Sequence, residues 1–291
     1  MNSPPEIARL YSESASRLVR LPIPKLIILS LLGSVYISTG ALCSIVCTYR
    51  FSGGDGRYYR GLIYPLGLML CLCAGGEIFS GNCLLIIPFL NKKIYITDVL
   101  FTLLIVFIGN LIGGIIMSVF IVYSHIPHLF DMSLASLLVI NGEAETSLGF
   151  GDALVKGILG SFCTCLAILC SYSAQDLLSK IAVLWAPICL FIACGFEDCT
   201  ANMFYIPAGL FSSYEYDLIR DSLDWGRFIY KSLIPVLLGN IIGGTVLVGL
   251  GFWYLYLTGD SFSSNAVPHI NNDIKTEGQN KIKCIFIYKF C

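Results

Sequence analysis

Residues 75–82 read GGEIFSGN and residues 195–202 read GFEDCTAN, so that Gly75, Glu77 and Asn82 coincide with Gly195, Glu197 and Asn202 at a shift of 120. Each octet sits inside a long apolar run, 61–90 or 181–211, and each asparagine is followed by a proline, Pro88 or Pro207. Both runs exceed the roughly 20 residues that one helical membrane crossing needs. Each is interrupted by glycine beside an acid, which predicts two half-helices joined by a loop. One run further along, GNLIGG at 109–114 answers GNIIGG at 239–244, a shift of 130. Two matched pairs in the same order make an internal repeat.

The other apolar stretches fall at about 25–48, 97–124, 153–173 and 231–257, which gives six spans in all. Three spans per half mean that the second half enters the membrane upside down relative to the first, the inverted-repeat architecture of many channels and transporters. The expected fold is therefore an all-α membrane protein of two inverted three-helix repeats, about 25–124 and 153–257, with broken second and fifth helices. Composition agrees. The 291 residues are 56% hydrophobic and 13% charged, with mean hydropathy +0.78, whereas a soluble domain carries about a quarter charged residues. The net charge of -1 gives no reason to expect nucleic acid as a partner. Most of the 13 cysteines lie in apolar runs and read as small hydrophobes. Cys71-x-Cys73 and Cys163-x-Cys165 lack the companion ligands of a zinc site, so no metal or other cofactor is expected.

Residues 1–24 hold Glu6, Glu13 and three arginines among the first 20 positions and no apolar core, so they do not read as a signal peptide. With both termini cytoplasmic, eleven basic residues lie inside and seven outside, and nine acids, Asp131, Glu143 and Glu145 among them, fall outside. That bias places residues 1–24 and 258–291 in the cytoplasm and suggests the plasma membrane. In the ending Lys281 to Cys291, lysines mix with Ile and Phe, so it reads either as unstructured or as a segment touching the membrane surface.

Non-helical backbone at membrane depth is tolerated only where it lines a cavity or is buried in protein. The two broken segments are therefore expected to meet across a central pathway. Glu77 and Glu197 read best as carboxylates that cap half-helix N-termini and hold the breaks open. Asn110, Gly113, Asn240 and Gly243 read as close helix packing in preference to substrate contact. Asp198 beside Glu197 is different: ionisable groups at that depth are functional candidates, and a transport role is preferred to a second cap.

With these residues in hand, the chain resembles the formate/nitrite transporter family. The likeness covers about residues 25–257 and rests on GGEIFSGN, GFEDCTANMFYIPAGL at 195–210, LLGNIIGGTVLVGL at 237–250 and SYSAQDLLSKI at 171–181. The resemblance implies a homopentamer with an aquaporin-like fold and one pore per protomer. Its substrates would be small monovalent anions of weak acids, such as formate, acetate, lactate, nitrite or hydrosulfide, moving with a proton or as the neutral acid. It also implies two apolar constrictions, matched here by Tyr64, Leu68, Ile78, Phe79 and Phe191. Between them would lie a central polar site, with Ser80 where the family often has threonine and Ser161 where some members have asparagine; Asn202 and Glu197 match directly.

The departure is at the centre, where the family usually carries histidine after Gly-Phe-Glu and this chain has Asp198. Glu145 stands where some members have lysine. An ionised aspartate in a narrow pore repels an anion, so anion passage through this centre requires a protonated Asp198. The competing readings are a pore for a neutral solute or ammonium, an intramembrane acid-base enzyme using Glu77, Glu197 and Asp198, and a scaffold without transport. No HExxH or Ser/His pair supports the enzyme.

Overall fold

The computed structural model describes residues 1–49 and 54–258, the side chains of 54 and 55 excepted. Arg50 and the ending Lys281 to Cys291 lie outside the described residues. The main helices among the described residues are α1 Pro4–Leu18, α2 Ile23–Cys47, α3 Gly56–Gly75, α4 Phe79–Leu90, α5 Ile96–Tyr123, α6 Ser133–Thr146, α7 Phe150–Ser171, α8 Leu177–Ala193, α9 Cys199–Glu215 and α10 Trp225–Leu257.

Among the described residues α2, α5, α7 and α10 are long and apolar enough to cross a membrane, and the pair α3 and α4, bent by 62°, makes a fifth span if taken as one. The shorter apolar α8 is followed by α9 after residues 194–198. The chain is thus an all-helical membrane protein with several apolar helices. Its lipid-compatible surface carries large apolar side chains such as Leu100, Phe101, Leu104, Ile108 and Phe120 along α5, as expected where the solvent is hydrocarbon.

Helix ends follow local chemistry. The Tyr95 N–H donates to Asp98 Oδ2 at 2.9 Å at the start of α5, and Asp176 and Asp224 accept from the backbone N–H of Ser179 and Arg227, each at 2.9 Å, at the starts of α8 and α10. Segment α1 is docked against the bundle. Asn2 N–H donates to Ser173 O at 2.9 Å, and the buried Tyr11 meets Tyr172 edge-on at 5.7 Å.

The tight contacts repeat between halves. A Cβ on Gly33 of α2 would stand 2.2 Å from Glu77 O, and one on Gly160 of α7 would stand 2.1 Å from Glu197 O. The GNxIGG motifs do the same work: a Cβ on Gly113 would stand 2.7 Å from Leu31 O, and one on Gly243 would stand 2.1 Å from Ile158 O. Glycine lets backbones approach where no hydrophobic force drives helices together. Gly243→Ala is expected to destabilise by about 1–3 kcal/mol through overpacking, read as a lower thermal midpoint of the protein in detergent. Gly251→Ala on the same helix, with nothing within 4 Å, is expected to leave the midpoint unchanged.

Candidate transport site at the two helix breaks

Each break turns on a glycine in the left-handed region, Gly75 at φ 85° and Gly195 at φ 68°. Beyond it the glutamate runs extended past a neighbouring helix. Glu77 N–H donates to Leu29 O at 2.9 Å, and Glu197 N–H donates to Lys156 O at 3.2 Å.

The next links come from the GNxIGG helices. Asn110 Oδ1 accepts from Phe79 N–H at 2.9 Å, while its Nδ2 donates to Ser30 O at 2.7 Å and Glu77 O at 2.8 Å. Asn240 repeats the pattern, accepting from Cys199 N–H at 2.9 Å and donating to Gly157 O at 2.8 Å and Glu197 O at 3.3 Å. These amides satisfy backbone groups that would otherwise be orphaned in an apolar interior.

The expectation that Glu77 and Glu197 cap the half-helices is corrected here. Their carboxylates accept instead from side-chain amides one turn on, Asn82 Nδ2 at 2.8 Å and Asn202 Nδ2 at 2.9 Å. The first N–H of each half-helix is already taken by Asn110 or Asn240, and the extended backbone at 77 and 197 carries the carboxylate past the helix axis. Asp198 is the side chain that caps, its Oδ1 accepting from Thr200 N–H at 2.8 Å.

Asp198 also faces a small cavity of about 10 Å³, room for about one water. Its walls are Ile37, Tyr64, Leu68, Ile78, Thr164, Ile188, Phe191 and Asp198, with the Tyr64 and Phe191 ring centroids 5.9 Å apart. The cavity joins the two breaks, because Ile78 and Asp198 are equivalent positions of the repeat.

Four of the five expected constriction residues, Tyr64, Leu68, Ile78 and Phe191, thus share one wall. Phe79 does not: it packs edge-on against Phe107 at 5.9 Å. The central residues also separate. Ser80 Oγ is fully buried and lies beside the Asp198 carboxyl, with which it interacts. Asn202 is engaged by Glu197 and by Ser232 Oγ at 2.9 Å. Ser161 faces α10 at Gly244 and lies 3.7 Å from Cys165 Sγ.

Ile37, Thr164 and Ile188 escaped sequence reasoning. Helical spacing could have found them: Ile37 is one turn from Gly33, Thr164 three residues from Ser161 and Ile188 three residues before Phe191.

The sequence profile of the formate/nitrite transporter family matches residues 5–254. The chain belongs to that family. It is similar to the "Probable formate transporter" of Methanothermobacter thermautotrophicus, with 31% identity covering 88% of this chain and 97% of that protein. Among solved structures, a "Pentameric formate channel with formate bound" matches with TM-score 0.71 and 27% identity, over 81% of this chain and 98% of that one. An "FNT family ion channel" matches in fold with TM-score 0.78 and 23% identity, over 85% of this chain and 98% of that one.

Asn110→Ala strips partners from the backbone at 30, 77 and 79 and is expected to cost about 1–3 kcal/mol for each group left unpaired. Thermal denaturation in detergent measures it. Glu77→Gln, which keeps an acceptor for Asn82, is expected to stay close to the parent.

Proposed function

We propose that the protein carries small monovalent weak-acid anions, of the formate, acetate, lactate or nitrite class, across a membrane together with a proton or as the neutral acid. The observation that carries this reading is the cavity joining the two breaks, where the only ionisable carboxyl in the wall is Asp198. Family membership gives the scaffold; the cavity gives this chain's chemistry.

The Ser80 hydroxyl, which lies beside Asp198 and interacts with its carboxyl, can turn to donate to an entering carboxylate. A protonated Asp198 offers a second donor, or the proton itself. When Asp198 passes its proton to the carboxylate, the anion leaves as a neutral acid past Tyr64, Leu68, Ile78 and Phe191, whose apolar walls reject a bare charge. The Asp198 carboxylate takes a proton back from water on the side of entry. Asn202 and Ser161 support the surrounding helices.

This reading takes the chain as six spans in two inverted repeats, with α3 and α4 as one broken span and α8 and α9 as the other. The matched backbone links at Glu77 and Glu197 support it. A homopentamer follows by similarity to the pentameric formate channel. The basic residues near the span ends support cytoplasmic termini, and the plasma membrane is the proposed location. Transport is preferred to catalysis, because the cavity wall holds one acid and no nucleophile and base pair. The acidic centre favours one second reading, passage of ammonium.

Formate uptake into proteoliposomes is expected to rise as external pH falls. Asp198→Asn is expected to slow it severalfold and flatten that dependence, while Asp198→His keeps proton-linked uptake. Unchanged rate and pH dependence in Asp198→Asn would sink the proposal, and methylammonium uptake exceeding formate uptake would favour the second reading.

A further inference from the structure

We infer that Arg60 concentrates anions at one mouth of the cavity and sets the affinity with which they enter, an inference that rests on the transport reading. Arg60, Tyr64 and Leu68 stand at i, i+4 and i+8 on α3, one stripe of the helix. The backbone stays helical between them, Tyr64 N–H donating to Arg60 O at 2.9 Å. Tyr64 and Leu68 form part of the cavity wall. Arg60 therefore stands one turn, about 5.4 Å, beyond that wall on the same side.

The guanidinium is half-buried and held by two neutral acceptors, each oriented by a bond of its own. Thr48 donates its hydroxyl proton to Ser44 O at 2.6 Å, which turns Oγ1 to accept from Arg60 Nε at 3.3 Å. Asn141 donates through Nδ2 to Leu137 O at 2.6 Å, which turns Oδ1 to accept from Arg60 Nη1 at 2.6 Å. Neither partner carries charge. Among the described residues the one ion pair is Arg227 with Asp224, at 3.4 Å, so no described carboxylate closes on Arg60.

Arginine has five N–H donors in a planar fork that matches a carboxylate or nitrite. Two are used by these described partners, and the other three are the ones we assign to an arriving anion. Glu145, four residues beyond Asn141 on α6, is within electrostatic reach of Tyr64 and Tyr205. Arg60 is the cation that offsets this acid at the same mouth and keeps it open to anions.

The test is formate uptake by the full chain in proteoliposomes, as a function of formate concentration at low and at physiological ionic strength. Arg60→Gln is expected to raise the half-saturating concentration roughly tenfold, to leave the maximal rate within about twofold, and to lose most of the salt dependence that screening gives the parent. Arg60→Lys should recover most of the affinity. Asn141→Asp, which sets a carboxylate against the guanidinium without emptying the site, should reproduce Arg60→Gln and serves where that variant does not fold. Parental half-saturation and salt dependence in Arg60→Gln or Asn141→Asp overturns the inference alone. A parent protein that takes up no formate, lactate or nitrite overturns the transport reading and this inference together.

Discussion

Both helix breaks depend on an asparagine amide from a neighbouring helix, Asn110 in one half and Asn240 in the other. Each donates to two carbonyls and accepts from the first N–H of the half-helix beyond the break. A buried polar group without a partner costs a few kcal/mol, so an extended stretch such as 76–78 or 196–198 cannot persist in an apolar interior unless something holds it. The glycines of the same motifs let the asparagine-bearing helices come close enough, Gly243 meeting Ile158 O in direct backbone contact.

That lock fixes the position of residues 78 and 198 and so defines the cavity between them. The halves match in backbone and differ in side chain. Ile78 answers Asp198, and Ser80, whose hydroxyl lies beside the Asp198 carboxyl, answers Thr200, whose Oγ1 donates to Asn110 Oδ1 at 3.4 Å. Among the described residues Asp198 is the one acid in a wall that is otherwise mostly apolar, with Ser80 beside it.

The breaks were legible in the sequence because glycine beside an acid within an apolar run has few helical explanations, and because the repeat offered the pattern twice. Four residues of the cavity wall, Tyr64, Leu68, Ile78 and Phe191, were named through the family likeness. The roles within the break were not. Glu77 and Asn110 are far apart in sequence, and nothing in the local spacing says that the amide, and not the carboxylate, reaches the half-helix N–H. Phe79 falls outside this cavity for a related reason: one residue of extended backbone turns successive side chains to opposite sides, so Ile78 meets the cavity and Phe79 meets Phe107. Ile37 and Ile188 carry no chemical mark that separates them from lipid-facing neighbours.

The central claim is that one carboxyl at the meeting of the two breaks couples anion passage to a proton. The measurement that bears on it most directly is luminal pH in proteoliposomes of the unmodified protein, followed while a panel of formate, acetate, lactate, nitrite and methylammonium is added outside at several pH values. The account predicts protein-dependent luminal acidification with each anion, faster at lower external pH, and none of comparable size with methylammonium. Anion entry without acidification, or luminal alkalinisation driven by methylammonium alone, would contradict it.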